Sequence, residues 1–188
     1  MDTSVHDSSE TRLQFRDFTR ADIAAVHEYA SDPLVTRWST WGPNSLEQTA
    51  AFVEAAAAEA EDIRTGYSLA AVLNDHVVGS LAVWTKDSSN RNGELGYTFH
   101  RAHWGKGYAT EAVGELLRLG FDTLKLERIG ATCHPDNMGS IRVLEKNGFT
   151  FEGRLRSHRA VQGTRRDSML FSILREDYVH RGNVSGAS

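Results

Sequence analysis

The stretch from Gly93 to Leu124 limits the possible folds more than any other, because it reads as a strand, a bare turn and a helix in immediate succession. "GELGYTFH" has the apolar character of a strand, and "HWGKGYATEA" follows it at once. Beyond the glycines, Ala109, Ala112, Val113, Leu116, Leu117, Gly120, Phe121 and Leu124 recur at helical spacing on one face, with Glu111, Glu115, Arg118, Asp122 and Lys125 on the other. Glycines at the mouth of a helix bare its first N–H groups where the helix dipole is positive, a place suited to phosphate oxygens. The P-loop pattern is absent, since no Gly-Lys pair is followed by Ser or Thr. A dinucleotide fingerprint would need its third small position at Thr110 and a place in the first βαβ unit, whereas several elements precede this turn.

Those elements follow from periodicity. Residues 12–18 alternate as a strand, "TRADIAAVHEYASD" is helical, and Pro33 is expected to close that helix. "PLVTRWSTWGPNS" reads as a loop, and the S-x-x-Q at Ser45 opens an Ala-rich helix running to about Arg64. Two strands flank "NDH", "RIGATCH" is a fifth strand, and "NMGSIRVLEKNG" is a short helix closing on Gly148. "FTFEGRLRSHRAV" and "RRDSMLFSIL" form a last hairpin across "QGT". One domain over 11–180, with polar tails at 1–10 and 181–188, accommodates all of them.

A formal net charge of -4 opposes nucleic-acid binding by general electrostatics, so any anion must be gripped locally. No apolar run reaches bilayer length, so no membrane partner is expected. The first residues lack a basic and an apolar signal region, and the lone Cys133 has no disulfide partner, so a cytoplasmic location is expected. His100 and His103 lack the companion ligands of a zinc site, and no metal is expected.

Three stretches in order, "ELGYTF…WGKGYATEA", "HPDNMGSIRVLEKNGF" and "EGRLR…RRDSMLFSILREDY", resemble the RimJ/RimL-like branch of the GNAT superfamily of N-acyltransferases over residues 12–178. The coenzyme A turn of that superfamily is [Q/R]-x-x-G-x-[G/A], and "WGKGYA" departs from it at the first position, where Trp104 stands. The resemblance implies an α+β GNAT fold: a central mixed, mostly antiparallel, splayed seven-stranded sheet flanked by about four helices. It also implies acetyl-CoA as cofactor and, as acceptor, a primary amine, foremost a protein or peptide N-terminal α-amine. An amine-bearing metabolite or antibiotic as acceptor, or an inert CoA-binding module, are the alternatives, and a homodimer is compatible with each. Trp104, Gly105, Lys106, Gly107, Tyr108, Ala109 and Thr110 would cradle the diphosphate. The backbone of Tyr97, Thr98 and Phe99 would hold the pantetheine arm, Asn137 would touch it, and Ser140 would face the thioester sulfur.

Acyl transfer to an amine requires an unprotonated nucleophile, donors for the developing oxyanion and a proton for the leaving thiolate. Glu94, on the strand before the turn, is the first candidate base, directly or through water, with His134 and Asp136 in reserve. Ser140 is the candidate acid, and Cys133 reads as a small buried side chain. Trp38 and Trp41 are candidates for the acceptor wall, with Arg37 or the run Arg154, Arg156, Arg159 steering an anionic acceptor. Each residue also has a plainer reading: Gly105 and Gly107 as a tight turn, Asp136 or Asn137 as helix cap, Glu94 as a solvated edge charge, the tryptophans as core.

Overall fold

A computed structural model describes residues 12–59 and 64–179. The expected tails at 1–10 and 181–188, and residues 60–63 of the expected Ala-rich helix, lie outside the described residues. The strands are β1 (Gln14–Asp17), β2 (Gly66–Leu73), β3 (His76–Asp87), β4 (Asn92–Phe99), β5 (Arg128–Cys133), β6 (Thr150–Val161) and β7 (Thr164–Leu174). The helices are α1 (Ile23–Ala30), α2 (Pro33–Thr36), α3 (Leu46–Glu59), α4 (Tyr108–Arg118) and α5 (Met138–Lys146).

Three details depart from the periodicity reading. Pro33 opens a helical turn instead of closing one: its missing N–H costs nothing at the first helical position, and the Asp32 side chain accepts the N–H of Leu34 at 2.8 Å. Arg64 lies outside any helix and grips Asp17 of β1 with two bonds of 2.9 and 2.8 Å. The long helix after the glycines is α-helical only to Arg118 and then widens into a π-turn over Leu119–Thr123, where the Leu124 N–H reaches back to Leu119 O at 2.9 Å. That extra residue shifts the face, so Leu119, off the 3.6-residue stripe, is buried beside Phe121. A Cβ at Gly120 would meet Ile129 Cδ1 at 2.5 Å, so the buried Ile129 side chain would have to move for any larger residue there.

The seven strands form one sheet in the order β1-β2-β3-β4-β5-β7-β6. Every neighbouring pair is antiparallel except β4–β5. That parallel ladder contains only Asn92↔Arg128, Gly93↔Ile129 and Glu94↔Gly130, after which both strands continue without pairing. The sheet is therefore split down its middle from Glu94 onward.

Period-two alternation assigns the two faces. Leu69, Leu81, Leu95 and Ile129 pack with Val113 and Leu116 of α4 and Leu144 of α5. The opposite face is filled over β2 by Ala70 and Val72 against Val26 and Tyr29 of α1 and Val53 of α3. Register puts Trp84, Glu94, Gly130 and Ser172 on that second face, and Gly96, Thr98 and Thr132 with them by alternation. Glu94, Gly96, Thr98 and Thr132 are half-buried there, so this side of the split is accessible.

Candidate active site at the split between β4 and β5

The turn leaving β4 has its glycines where the backbone demands them. Gly105 and Gly107 have φ of 74° and 86°, the left-handed region that side chains disfavour. A Cβ on Gly105 would meet nothing within 4 Å, so the space over the turn is open. Gly107 is the N-cap of α4 with no side-chain cap, and its carbonyl takes the N–H groups of Thr110 and Glu111 at 3.0 and 3.1 Å. An uncapped helix start facing open space fits an anionic diphosphate.

Trp104, at the position where the motif departs, has a defined task. Its Nε1–H donates to Phe99 O at 2.8 Å, tying the turn to the end of β4 while the residue stays 49% exposed. From the other side, Arg12 donates to Lys106 O at 3.0 Å and lies over the Tyr108 ring at 4.6 Å. Glu111, in the first turn of α4, accepts the Leu13 N–H at 2.7 Å and Arg12 Nε–H at 3.3 Å. The turn is thus braced from both edges, and the space over Gly105 stays open.

Within the split, the backbone of β4 presents donors. His100 N–H donates to Val78 O on β3 at 2.8 Å, so strand alternation turns the N–H groups of Tyr97 and Phe99 the other way, into the gap. Across the gap, the Tyr97 hydroxyl lies 2.9 Å from Ser140 Oγ and donates to Ser140 O at 3.4 Å. Asn137 caps α5, its Oδ1 accepting the Ser140 N–H at 3.2 Å, so the plain structural role is real and Ser140 is fixed at the helix mouth. Loss of water raises the Tyr97 pKa above the ordinary phenol range, a hydrogen bond from Ser140 offsetting it in part. Burial likewise pushes the Cys133 thiol up to about 11, against a smaller opposing effect of its bond with Ser140.

The other face of the split carries a different set. Glu94 is ion-paired with Lys86 of β3 through one carboxylate oxygen. His134 stacks on Trp38 at 4.2 Å, and its Nδ1 is occupied by the Asp136 N–H at 3.2 Å. Trp38 also lies under Arg37 at 4.1 Å, and Arg166 of β7 donates to Arg37 O at 3.0 Å. The α2–α3 segment is thereby held against the end of β5 and β7, with Trp41 at its rim, 40% exposed.

Sequence reasoning missed two side chains. The sequence points to Tyr97 for its backbone alone; its hydroxyl falls between the buried Leu95 and Phe99 on the α4 face, and that polar atom in an apolar series is the available signal. His158 on β6 lies 3.1 Å through Nδ1 from Ser168 Oγ on β7, placed there by an irregular register between Leu155 and Arg159 that no sequence pattern announces. Among the described residues no group of three or more His, Cys, Asp or Glu is arranged to hold a metal ion. No helix of the described residues is long and apolar enough to cross a membrane.

A split parallel pair with an uncapped, glycine-formed helix start at its open end defines the class of acyl-CoA-dependent transferases. Comparison with known proteins gives the family: residues 12–150 match the acetyltransferase (GNAT) domain, and the chain belongs to the GNAT family of acetyltransferases. It is 33% identical over 171 residues to the uncharacterized N-acetyltransferase p20 of Bacillus licheniformis, covering 89% of this chain and 95% of that one. A GNAT-family acetyltransferase crystal structure from Bacillus anthracis superposes with a TM-score of 0.79 at 32% identity, covering 88% of this chain and 96% of that one. Mycobacterium smegmatis RimJ in complex with CoA-disulfide matches with a TM-score of 0.79 at 26% identity, over 93% of this chain and 89% of that one. The fold expectation holds, with the short α2 and the π-turn added to the helices foreseen.

Proposed function

We propose that this chain moves an acetyl group from acetyl-CoA to a primary amine by direct attack, with a protein or peptide N-terminal α-amine as acceptor. The observation that carries the reading is the β4–β5 split, with free-facing N–H groups of Tyr97 and Phe99 inside it and the Gly105–Gly107 turn at its end. Trp104 to Thr110 hold the diphosphate through main-chain N–H groups, and the β4 edge with Asn137 holds the pantetheine arm. The donor supplies an activated acyl carbonyl and a thiolate leaving group. Ser140, backed by the Tyr97 hydroxyl, provides the proton for that thiolate. On the opposite face Glu94 attracts the amine, its second oxygen having no hydrogen-bond partner among the described residues.

Two features support the N-terminal acceptor. RimJ of Mycobacterium smegmatis is similar over nearly the whole chain. The β6–β7 hairpin beside Trp38 carries Arg154, Arg156, Arg159, Arg165 and Arg166, which opposes a polycationic acceptor. Trp38 and Trp41 form the wall against which the acceptor's first residues rest.

Thiol release with acetyl-CoA, measured against N-terminal peptides, polyamines and aminoglycosides, tests the proposal. The highest kcat/KM is expected with peptides. A preference for either small-amine class overturns the acceptor, and CoA binding without turnover on any amine overturns the enzyme reading.

A further inference from the structure

The proton-handling groups near the split are divided between its two faces. Tyr97, Ser140 and Cys133 lie on the α4 face, whereas Glu94 and Ser168 lie on the opposite, accessible one. Ser168 immediately precedes Met169, the partner of Cys133, on β7, so it stands level with the open end of β5. His158 reaches this place from β6 because Ser157 adopts a φ of 52° and the strand is displaced there: the Ser157 N–H donates to Asp167 Oδ1 at 2.8 Å, while Arg154 holds Asp167 Oδ2 at 2.7 Å. The displacement turns a half-buried imidazole inward from a strand whose neighbouring residues Arg156, Ser157 and Arg159 are exposed. The partner of Nδ1 is the buried Ser168 hydroxyl, and when Nδ1–H donates to it the lone pair of Nε2 is left for another group.

Resting on the transferase reading above, we infer that His158 is the base for the acceptor amine, while Glu94, tied to Lys86, holds and orients that amine. The geometry divides the labour: the amine approaches on the Glu94–His158 face as the thiolate departs toward Ser140 on the other. As the C–N bond forms and the C–S bond breaks, one amine proton passes to His158 Nε2 and from there to solvent. The thiolate takes its proton from the Ser140–Tyr97 pair, which solvent refills, so amine and thioester become amide and thiol.

The charges facing His158 are Arg159 on its own strand, Lys86 on β3 and Glu94 on β4, with the neutral Ser168 on β7. Partial burial, then Arg159 and Lys86, lower its pKa, and Glu94 opposes them, so the imidazole is neutral and able to accept a proton at neutral pH.

The experiment is acceptor kcat/KM against pH for the wild type, His158→Gln, His158→Ala and Glu94→Gln, with CoA affinity measured by calorimetry on each. Beside the limb near about pH 8 that the acceptor's own ammonium imposes on every variant, the wild type should show a second acidic limb below about pH 6.5. His158→Gln should lower kcat/KM about 100-fold at neutral pH, abolish that limb and leave CoA affinity unchanged. Added imidazole should restore part of the rate to His158→Ala, which a merely structural histidine would not allow. Glu94→Gln should move the limb to lower pH and raise KM without removing the limb. An unchanged rate in His158→Gln, a loss matched by lost CoA affinity, or a limb that vanishes with Glu94 and not with His158 would each overturn the assignment. A wild type that binds CoA and acetylates no amine overturns the transferase reading, and this inference with it.

Discussion

The hydroxyls of Tyr97 and Ser140 meet at 2.9 Å across a gap in which the two neighbouring strands no longer pair. One belongs to the edge of the gap and the other to the mouth of α5, so a single contact couples the side proposed for the leaving group to the strand beneath it. Tyr97→Phe keeps the ring and removes that coupling. The expected result is a loss in kcat of roughly fivefold, the worth of about 1 kcal/mol, with CoA affinity retained. Ser140→Ala should cost more, and a double-mutant cycle giving no coupling between the two would dismiss the pair.

Gly105 and Gly107 carry the conformation of the turn proposed to hold the diphosphate. Alanine at either must adopt the left-handed region, at a cost of about 1–2 kcal/mol. Because a Cβ at 105 meets only open space, Gly105→Ala should weaken CoA binding more than it lowers the melting temperature. Equal CoA affinity by calorimetry in this variant would show that the turn is not where the anion sits.

Asp22 makes folding sensitive to acid. Burial alone would raise its pKa, but hydrogen bonds from Arg16 at 2.7 and 2.8 Å and from the Thr19 N–H at 2.8 Å outweigh it and hold the carboxyl below its usual range. A depressed folded pKa contributes stability that is complete above the unfolded value of about 3.9 and is lost as pH falls through the lower folded one. Urea unfolding between pH 2 and 7 should therefore show an acid decline that is shallower in Asp22→Asn, whose stability at neutral pH is lower. Parallel curves for the two proteins would remove Asp22 from the acid response.

Cys133 should be inert. Its thiol is buried and pushed up to about 11, so almost no thiolate exists at neutral pH. Iodoacetamide at pH 7.5 should modify the folded protein far more slowly than the urea-unfolded chain, read by mass. Rapid labelling, or an acetyl group trapped on this sulfur, would contradict direct attack by the amine.

Much of this site was legible because its chemistry is written in the backbone. Glycines at 105 and 107 and the stripe from Ala109 to Leu117 state a turn and a helix without knowledge of anything distant. The departure of the α4 stripe at Leu119 was not legible, since a π-turn leaves no compositional mark. Pro33 carries the same residue type whether it ends a helix or begins one, and only the Asp32 cap decides. His158 was invisible for a tertiary reason: its place depends on Asp167, on another strand, taking the Ser157 N–H. The split itself came from resemblance alone, because alternation in β4 and β5 continues undisturbed past the point where they part.

Stopping the central ladder at Glu94 and Gly130 leaves a strand-wide opening that no strand of the described residues fills. An extended, amide-bearing molecule laid along β4 would serve as one, recognised by peptide groups instead of by residue identity. A contact made through the main chain sets no demand on the side chain of Thr98, which faces the other way. A fold with this vacancy keeps one partner constant and leaves evolution to renegotiate the other.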